Sequence, residues 1–256
     1  MASSRLHPDA KSRRLIVNAD DFGRSASINQ AVVRAHREGI LTTTSLMVNE
    51  PAFEEAVALA RENPMLGVGL HLTLLCGHST LPPEAIPGLV DANGEFSTNP
   101  PGAGFRYFFQ RSLREPLRRE IHAQFQKFRA TRLPLDHVNG HLHLHLHPTV
   151  FRILMSDAAQ LGIKHLRLTF DPFRLNLRIS SGHFAYRALH AAIYHALSAR
   201  ARPALAQRGI RHTQAAQEEK AEPGARRVVA ELAAGVHQTG DSFGPQGRMA
   251  TKEGQM

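Results

Sequence analysis

The feature that most restricts the fold of this chain is an alternation. Short apolar or β-branched runs, each followed by polar residues, alternate with amphipathic segments from residue 15 to residue 168. That pattern belongs to βα units and a parallel sheet. Leu15-Ile16-Val17 reads as a buried strand ending in Asn18-Ala19-Asp20-Asp21-Phe22-Gly23. A helix follows, with Ile28, Ala31, Val32 and Ala35 at helical spacing and Gly39 as its stop. Thr42 to Val48 reads as the second strand, and Pro51 opens a helix with Phe53, Val57 and Ala60 on one face. Val68 to Thr73 is the third strand, Leu135 to Asn139 resumes the sheet, and Ile163 to Leu168 is the fifth strand. Helices are expected over Leu113 to Arg129 and over Thr149 to Leu161, the latter closed by Gly162. The Pro- and Gly-dense stretch from Leu75 to Gly104 is too long for a simple connection and reads as a lid or substrate-binding insertion.

A chain of 256 residues with this pattern fits one α/β domain or barrel. His183 to Ala201 is helical, and its stripe of Leu189, Ile193 and Leu197 is expected to face the core. The flanking arginines allow a basic interfacial helix as the other reading. From Gln214 the chain turns rich in Ala, Gly, Glu and Gln. Val228, Val229, Leu232 and Val236 support one weak helix, and Asp241 onward reads as disordered. The domain reading is therefore a disordered arm at residues 1–13, an α/β domain at 14–213 and an atypical, largely disordered tail at 214–256.

The formal charge of +9 favours anionic partners, but the arginines are dispersed and no Lys/Arg run is interleaved with aromatics. Nucleic acid is thus not expected as a partner. The single Cys76 has no internal disulfide partner, the first residues lack an apolar signal core, and no stretch is long and apolar enough to span a membrane. The expected location is cytoplasmic, with room left for peripheral membrane contact and for a homodimer.

Three polar clusters sit just after strand-like runs: Asp20-Asp21, His71, and His137 to His147. In parallel α/β folds the strand C-terminal ends share one face, so these clusters can converge. If extended geometry persists, Asp20 and Asp21 point to opposite sides, one free to bind a metal and the other to act as a base. Taken alone, the pair is equally well a helix-capping acid and a solvated neighbour. His71 lies in Gly69-Leu70-His71-Leu72, where an imidazole needs a partner; a core histidine bonded to backbone satisfies that too. In His141-Leu142-His143-Leu144-His145-Leu146-His147-Pro148, an extended chain puts the histidines on one face and the leucines on the other. Neutral imidazoles suit borderline divalent ions, although a His-rich tract can also bind metal without catalysis.

Taken together, Val17 to Gly23, Gly69 to Leu72 and His137-Val138-Asn139-Gly140-His141-Leu142-His143 resemble the YdjC-like carbohydrate deacetylases, in order and spacing, from about Arg14 to His212. The His-Val-Asn-Gly-His form and the segment Gly209 to Thr213 are most similar to the hopanoid-biosynthesis-associated branch. Other members usually carry Asp where this chain has Asn139. The resemblance implies a distorted (β/α) barrel and removal of an N-acetyl group from an amino sugar or glycolipid. It implies Asp21, His71 and His141 as metal ligands, Asp20 as general base, and Asn18, His137, Asn139 and His143 lining the site. It also implies Mg²⁺, whereas the Asp-His-His donor set suits Zn²⁺ at least as well.

Family members continue through further βα units and carry a late His-Pro motif that is a candidate general acid. Here His-Pro occurs only at His7-Pro8 and His147-Pro148. The sequence after Thr213 accordingly reads as frameshifted or replaced, leaving an incomplete barrel. The alternative to an enzyme is a catalytically impaired metal- or sugar-binding remnant.

Overall fold

The computed structural model describes residues 15–169 and 184–213; the N-terminal arm and the C-terminal tail, with the weak helix near Val228, lie outside the described residues. The architecture is α/β, with a six-stranded sheet in the order β1-β2-β3-β4-β5-β6. Strands β1 (Asn18–Phe22), β2 (Thr43–Leu46), β3 (Gly67–Leu72), β4 (Val138–Gly140), β5 (His165–Leu166) and β6 (Arg211–His212) pair in parallel with their neighbours. Sequential parallel order is the order of a (β/α) barrel wall, and among the described residues β6 does not pair back onto β1.

Helices α1 (Ala26–Arg37) and α2 (Phe53–Glu62) provide the first two crossovers. Ser25 caps α1 by accepting from the Ile28 N–H, the role its short hydroxyl side chain favours. Helices α3 (Pro100–Phe109) and α4 (Arg114–Ala130) lead into β4, and α5 (Pro148–Ser156) and α6 (Ala158–Leu161) into β5. Pro148 sits at the first turn of α5, where its missing N–H costs nothing, and Gly162 closes α6 in the left-handed region, as the sequence predicts. The long α7 (Phe184–Gln207) precedes β6. One continuous cluster of buried residues, from Phe22 to Ile210, joins these elements.

Four expectations change. The first strand starts at Asn18, while Leu15 and Ile16 are 65% and 61% exposed. The register pairs Asn18 with Thr43 and Phe22 with Leu46, which buries Phe22 and Leu46 completely and leaves Leu15 and Ile16 upstream of any paired residue. The insertion after β3 is not a free lid. Glu120 accepts from the N–H groups of Thr80 and Leu81, Tyr107 donates to the Leu74 carbonyl, and Ile86, Leu89 and Phe96 are buried in the core.

The stripe on α7 faces the core only in its second half. Burial rises along Leu189 (61% exposed), Ile193 (47%), Ala201 (2%) and Leu205 (0%). Each four-residue step overshoots a 3.6-residue turn by about 40°, so such a stripe winds off any single face. The fourth change is at the histidine run. It is a 3-10 turn over His141–Leu146, with Leu142 and His143 left-handed at φ 49° and 59°. The turn sends each imidazole to its own partner instead of aligning them as a comb.

Candidate metal centre

Strand β1 breaks at Asp21. Its φ of 64° lies in the left-handed region, and the pairing with β2 shifts register between Ala19 and Phe22. An unbroken strand would have put the two carboxylates on opposite faces; the break delivers both to one pocket. Gly23 then turns the chain at φ 95°, where an added Cβ would meet the Met47 carbonyl oxygen at 2.8 Å. His71 comes from the C-terminal end of β3, and His141 from the residue just after β4.

One ligand atom from each of Asp21, His71 and His141 lies within 4.8 Å of the others. Asp21 Oδ1 is 3.1 Å from His71 Nε2 and 3.0 Å from His141 Nδ1. Two donors bound at ~2.0–2.1 Å to one ion stand about 2.8–3.4 Å apart for right-angle to tetrahedral geometry, so the spacing fits a shared divalent cation.

The hydrogen-bond logic points the same way. Asn139 Nδ2 donates to Asp20 Oδ1 at 2.8 Å, which turns Asn139 Oδ1 toward His71 Nδ1 at 2.7 Å. His71 Nδ1 therefore carries the proton, and in the neutral ring Nε2 is a lone pair aimed at a carboxylate oxygen. Two acceptors face to face need a positive charge between them. A proton can serve: burial works against an imidazolium at His71, but the Asp21 hydrogen bond and the charges of Asp20 and Asp21 outweigh it and raise the pKa. A divalent cation meets the same demand with all three donors.

Asp20 is held in a different way. Its Oδ1 accepts from Asn18, Asn139 and Arg167 at 2.8, 2.8 and 3.0 Å, while among the described residues Oδ2 accepts only from Arg167, at 2.8 Å. Burial alone would raise its pKa, but the charges of His71 and Arg167 and the bonds from Arg167 and Asn139 drive it well below the carboxylate range. Asp21 is likewise held low, with burial outweighed by the His141 and His71 hydrogen bonds and charges.

Asn18 and His137 stand one layer back. His137 Nδ1 donates to Asp136 at 2.9 Å, Ser45 donates to His137 Nε2 at 2.9 Å, and Asn18 Nδ2 reaches both Ser45 (3.2 Å) and Asp20 (2.8 Å). Gly69 makes this possible, since a Cβ there would sit 2.5 Å from the His137 ring. His143 is not brought to the triad; its ring packs 5.2 Å from Tyr194. Among the other histidines, His145 is fully buried against the Arg167 carbonyl, and His147 bonds the Gly104 carbonyl.

Two arginines in the site are not singled out by the sequence motifs. Arg167 lies at the end of the fifth strand-like run and forks onto Asp20. Its place at that strand end, the same place Asp20, His71 and His141 hold on theirs, is the signal that points to it. Arg24 Nη1 lies 3.4 Å from Asp21 Oδ2 and 3.3 Å from His141 Nε2, just past the Asp-Asp-Phe-Gly turn. Its side chain is 35% exposed, so water screens its pairing with Asp21.

A family model described as YdjC-like protein matches residues 14–239. The chain belongs to the YdjC-like family. The match runs past His212, where the motif resemblance ends, and so includes sequence that reads by its composition as replaced. Curated relatives include a carbohydrate deacetylase from Brevibacillus brevis, 42% identical over 147 residues, covering 57% of this chain and 56% of the relative. One from Geobacillus stearothermophilus is 39% identical over 165 residues (64% and 63% covered), and a chitooligosaccharide deacetylase from Proteus mirabilis is 38% identical over 180 residues (66% of each). The matched segment thus spans 56–66% of the length of these relatives. A crystal structure from Enterococcus faecalis V583, named for cellobiose-phosphate cleavage, shares the fold with a TM-score of 0.52 and 23% identity, over 78% of this chain and 96% of that one.

Proposed function

We propose that this YdjC-like chain is a carbohydrate N-deacetylase, hydrolysing the N-acetyl group of an amino sugar. The observation that carries the reading is the meeting of Asp21, His71 and His141 beside a separately anchored carboxylate, Asp20. The names of the relatives supply the reaction class. Asp21, His71 and His141 would hold the divalent cation, Mg²⁺ by family resemblance or Zn²⁺ by the preference of paired imidazoles. Such an ion supplies Lewis acidity to the amide carbonyl and lowers the pKa of an attacking water.

The chain's own residues do the rest. Asp20 stays ionised and is the general base. Its Oδ1 is saturated by three donors, so Oδ2 is the oxygen that accepts the proton. Arg167 fixes the plane of that carboxylate, and Asn139 couples it to the His71 tautomer. A proton on so weak a base is readily passed on toward the departing amine. Within amino sugars, the His-Val-Asn-Gly-His motif favours a glycolipid acceptor, a glycosylated hopanoid.

The test is acetate release from N-acetylglucosaminyl substrates by the purified chain with Mg²⁺ or Zn²⁺, alongside elemental analysis. His71→Ala is expected to lose both bound metal and acetate release. Undiminished turnover by that variant, or in excess chelator, rejects the reading.

A further inference from the structure

The exposed face of α3 is unlike the rest of the described surface. Phe105, Phe108 and Phe109 are 66%, 50% and 61% exposed. They stand at i, i+3 and i+4, on one side of the helix. Phe109 touches both others, with ring centroids 4.4 Å from Phe105 and 4.9 Å from Phe108. Phe108 and Phe109 also wall a cavity of about 270 Å³ shared with Arg111, Arg114 and Arg152. No acidic residue lines it, and none of these three exposed arginines makes an ion pair or hydrogen bond among the described residues.

We infer that this face docks the protein on an anionic phospholipid surface, the phenyl rings entering the acyl boundary and the three guanidinium groups pairing with lipid phosphates. Aromatic rings backed by unpaired cations are the composition of an interfacial anchor. Charge argues against a second copy of this chain as the occupant, because a like patch on a molecule of net charge +9 would set arginine against arginine. The position has a consequence. His147, which ends the turn begun by His141, bonds the Gly104 carbonyl of α3 and lies 6.3 Å from the Phe108 ring. A docked α3 is therefore tied directly to the residue that closes the histidine turn. The inference stands on the surface alone and goes beyond the proposed reaction.

Co-sedimentation of the full chain with vesicles of phosphatidylcholine, or of phosphatidylcholine mixed with phosphatidylglycerol, tests it. Partition is expected to be at least about tenfold stronger on the mixed vesicles and to fall with added salt. Phe105→Ser with Phe109→Ser should abolish it, and Arg111→Gln with Arg152→Gln should weaken it about fivefold per arginine. If the phenylalanine variant does not fold, the arginine variant decides. Absence of partition, unchanged partition in the folded variants, a dimer dispersed by the phenylalanine changes, or capture of an acidic protein in place of lipid overturns the inference. Acetate release from a soluble substrate should survive in both variants; its loss from every protein, wild type included, counts against the reaction and not against the docking.

Discussion

The two halves of the sheet contribute to the site in different ways. Strands β2 and β3 pair through four successive residues, and Leu46, Leu70 and Val138 of the first half are fully buried. Strands β5 and β6 are two residues long each. All three candidate ligands and Asp20 come from the first part of the sheet, β1 to β4, at or just past the ends of β1, β3 and β4; among the described residues the second part, β5 and β6, contributes Arg167 alone. A donor atom aimed at an ion must be placed within a few tenths of an ångström, which calls for a short side chain on a firmly paired strand. A guanidinium reaches across several ångströms and binds a carboxylate in a fork, so a shorter strand suffices to deliver it.

This division can be broken or sharpened by experiment. The largest effect is expected from Asp20→Asn, which removes the proton acceptor and leaves the triad in place. Acetate release should drop about 10²–10⁴-fold while bound metal stays near the wild-type level. Loss of metal as well would mean that Asp20 and the triad are one unit. Next comes Arg167→Gln, aimed at the second half. A fall of about 10–100-fold, mostly in kcat, with partial recovery in Arg167→Lys, is the expected outcome. Wild-type kinetics in the glutamine variant would make the second half mere scaffold.

The last effect leaves turnover aside and concerns stability. Burial pushes the His145 imidazole down to about 3 from its ordinary 6.5, so the fold accepts only the neutral ring. The unfolded chain takes up that proton more readily, so the contribution is complete above pH 6.5 and is lost progressively toward about 3. The slope is at most about 1.4 kcal/mol per pH unit. Urea midpoints measured across that range should fall with acid in the wild type and flatten in His145→Leu. Equal slopes would place the acid sensitivity elsewhere.

Much of this architecture is legible in the sequence because apolar runs, helical spacing and Gly162 act locally. The approach of Asp21, His71 and His141 follows from strand ends sharing a face, which needs no knowledge of register. The features that stay hidden depend on register or on a single torsion angle. Nothing local reports that β1 begins at Asn18 instead of Leu15, or that Asp21 turns left-handed and brings Asp20 round with it. The histidine run looks like a strand because its alternation is perfect, yet two left-handed residues undo that alternation. Arg24 is hidden by number: in a chain rich in dispersed arginine, one that touches a carboxylate of the site looks like the rest, whereas Arg167 carries only the signal of its strand end.

The bare hydrogen at Gly69 gives the molecule a remote control point. The His137 ring lies in the space a methyl group would fill, and that ring anchors the line of bonds running through Ser45 and Asn18 to Asp20. Enlarging position 69 by one carbon pushes on the His137 end of that line, so one of the bonds that aim the carboxylate depends on a residue that itself binds and reacts with nothing.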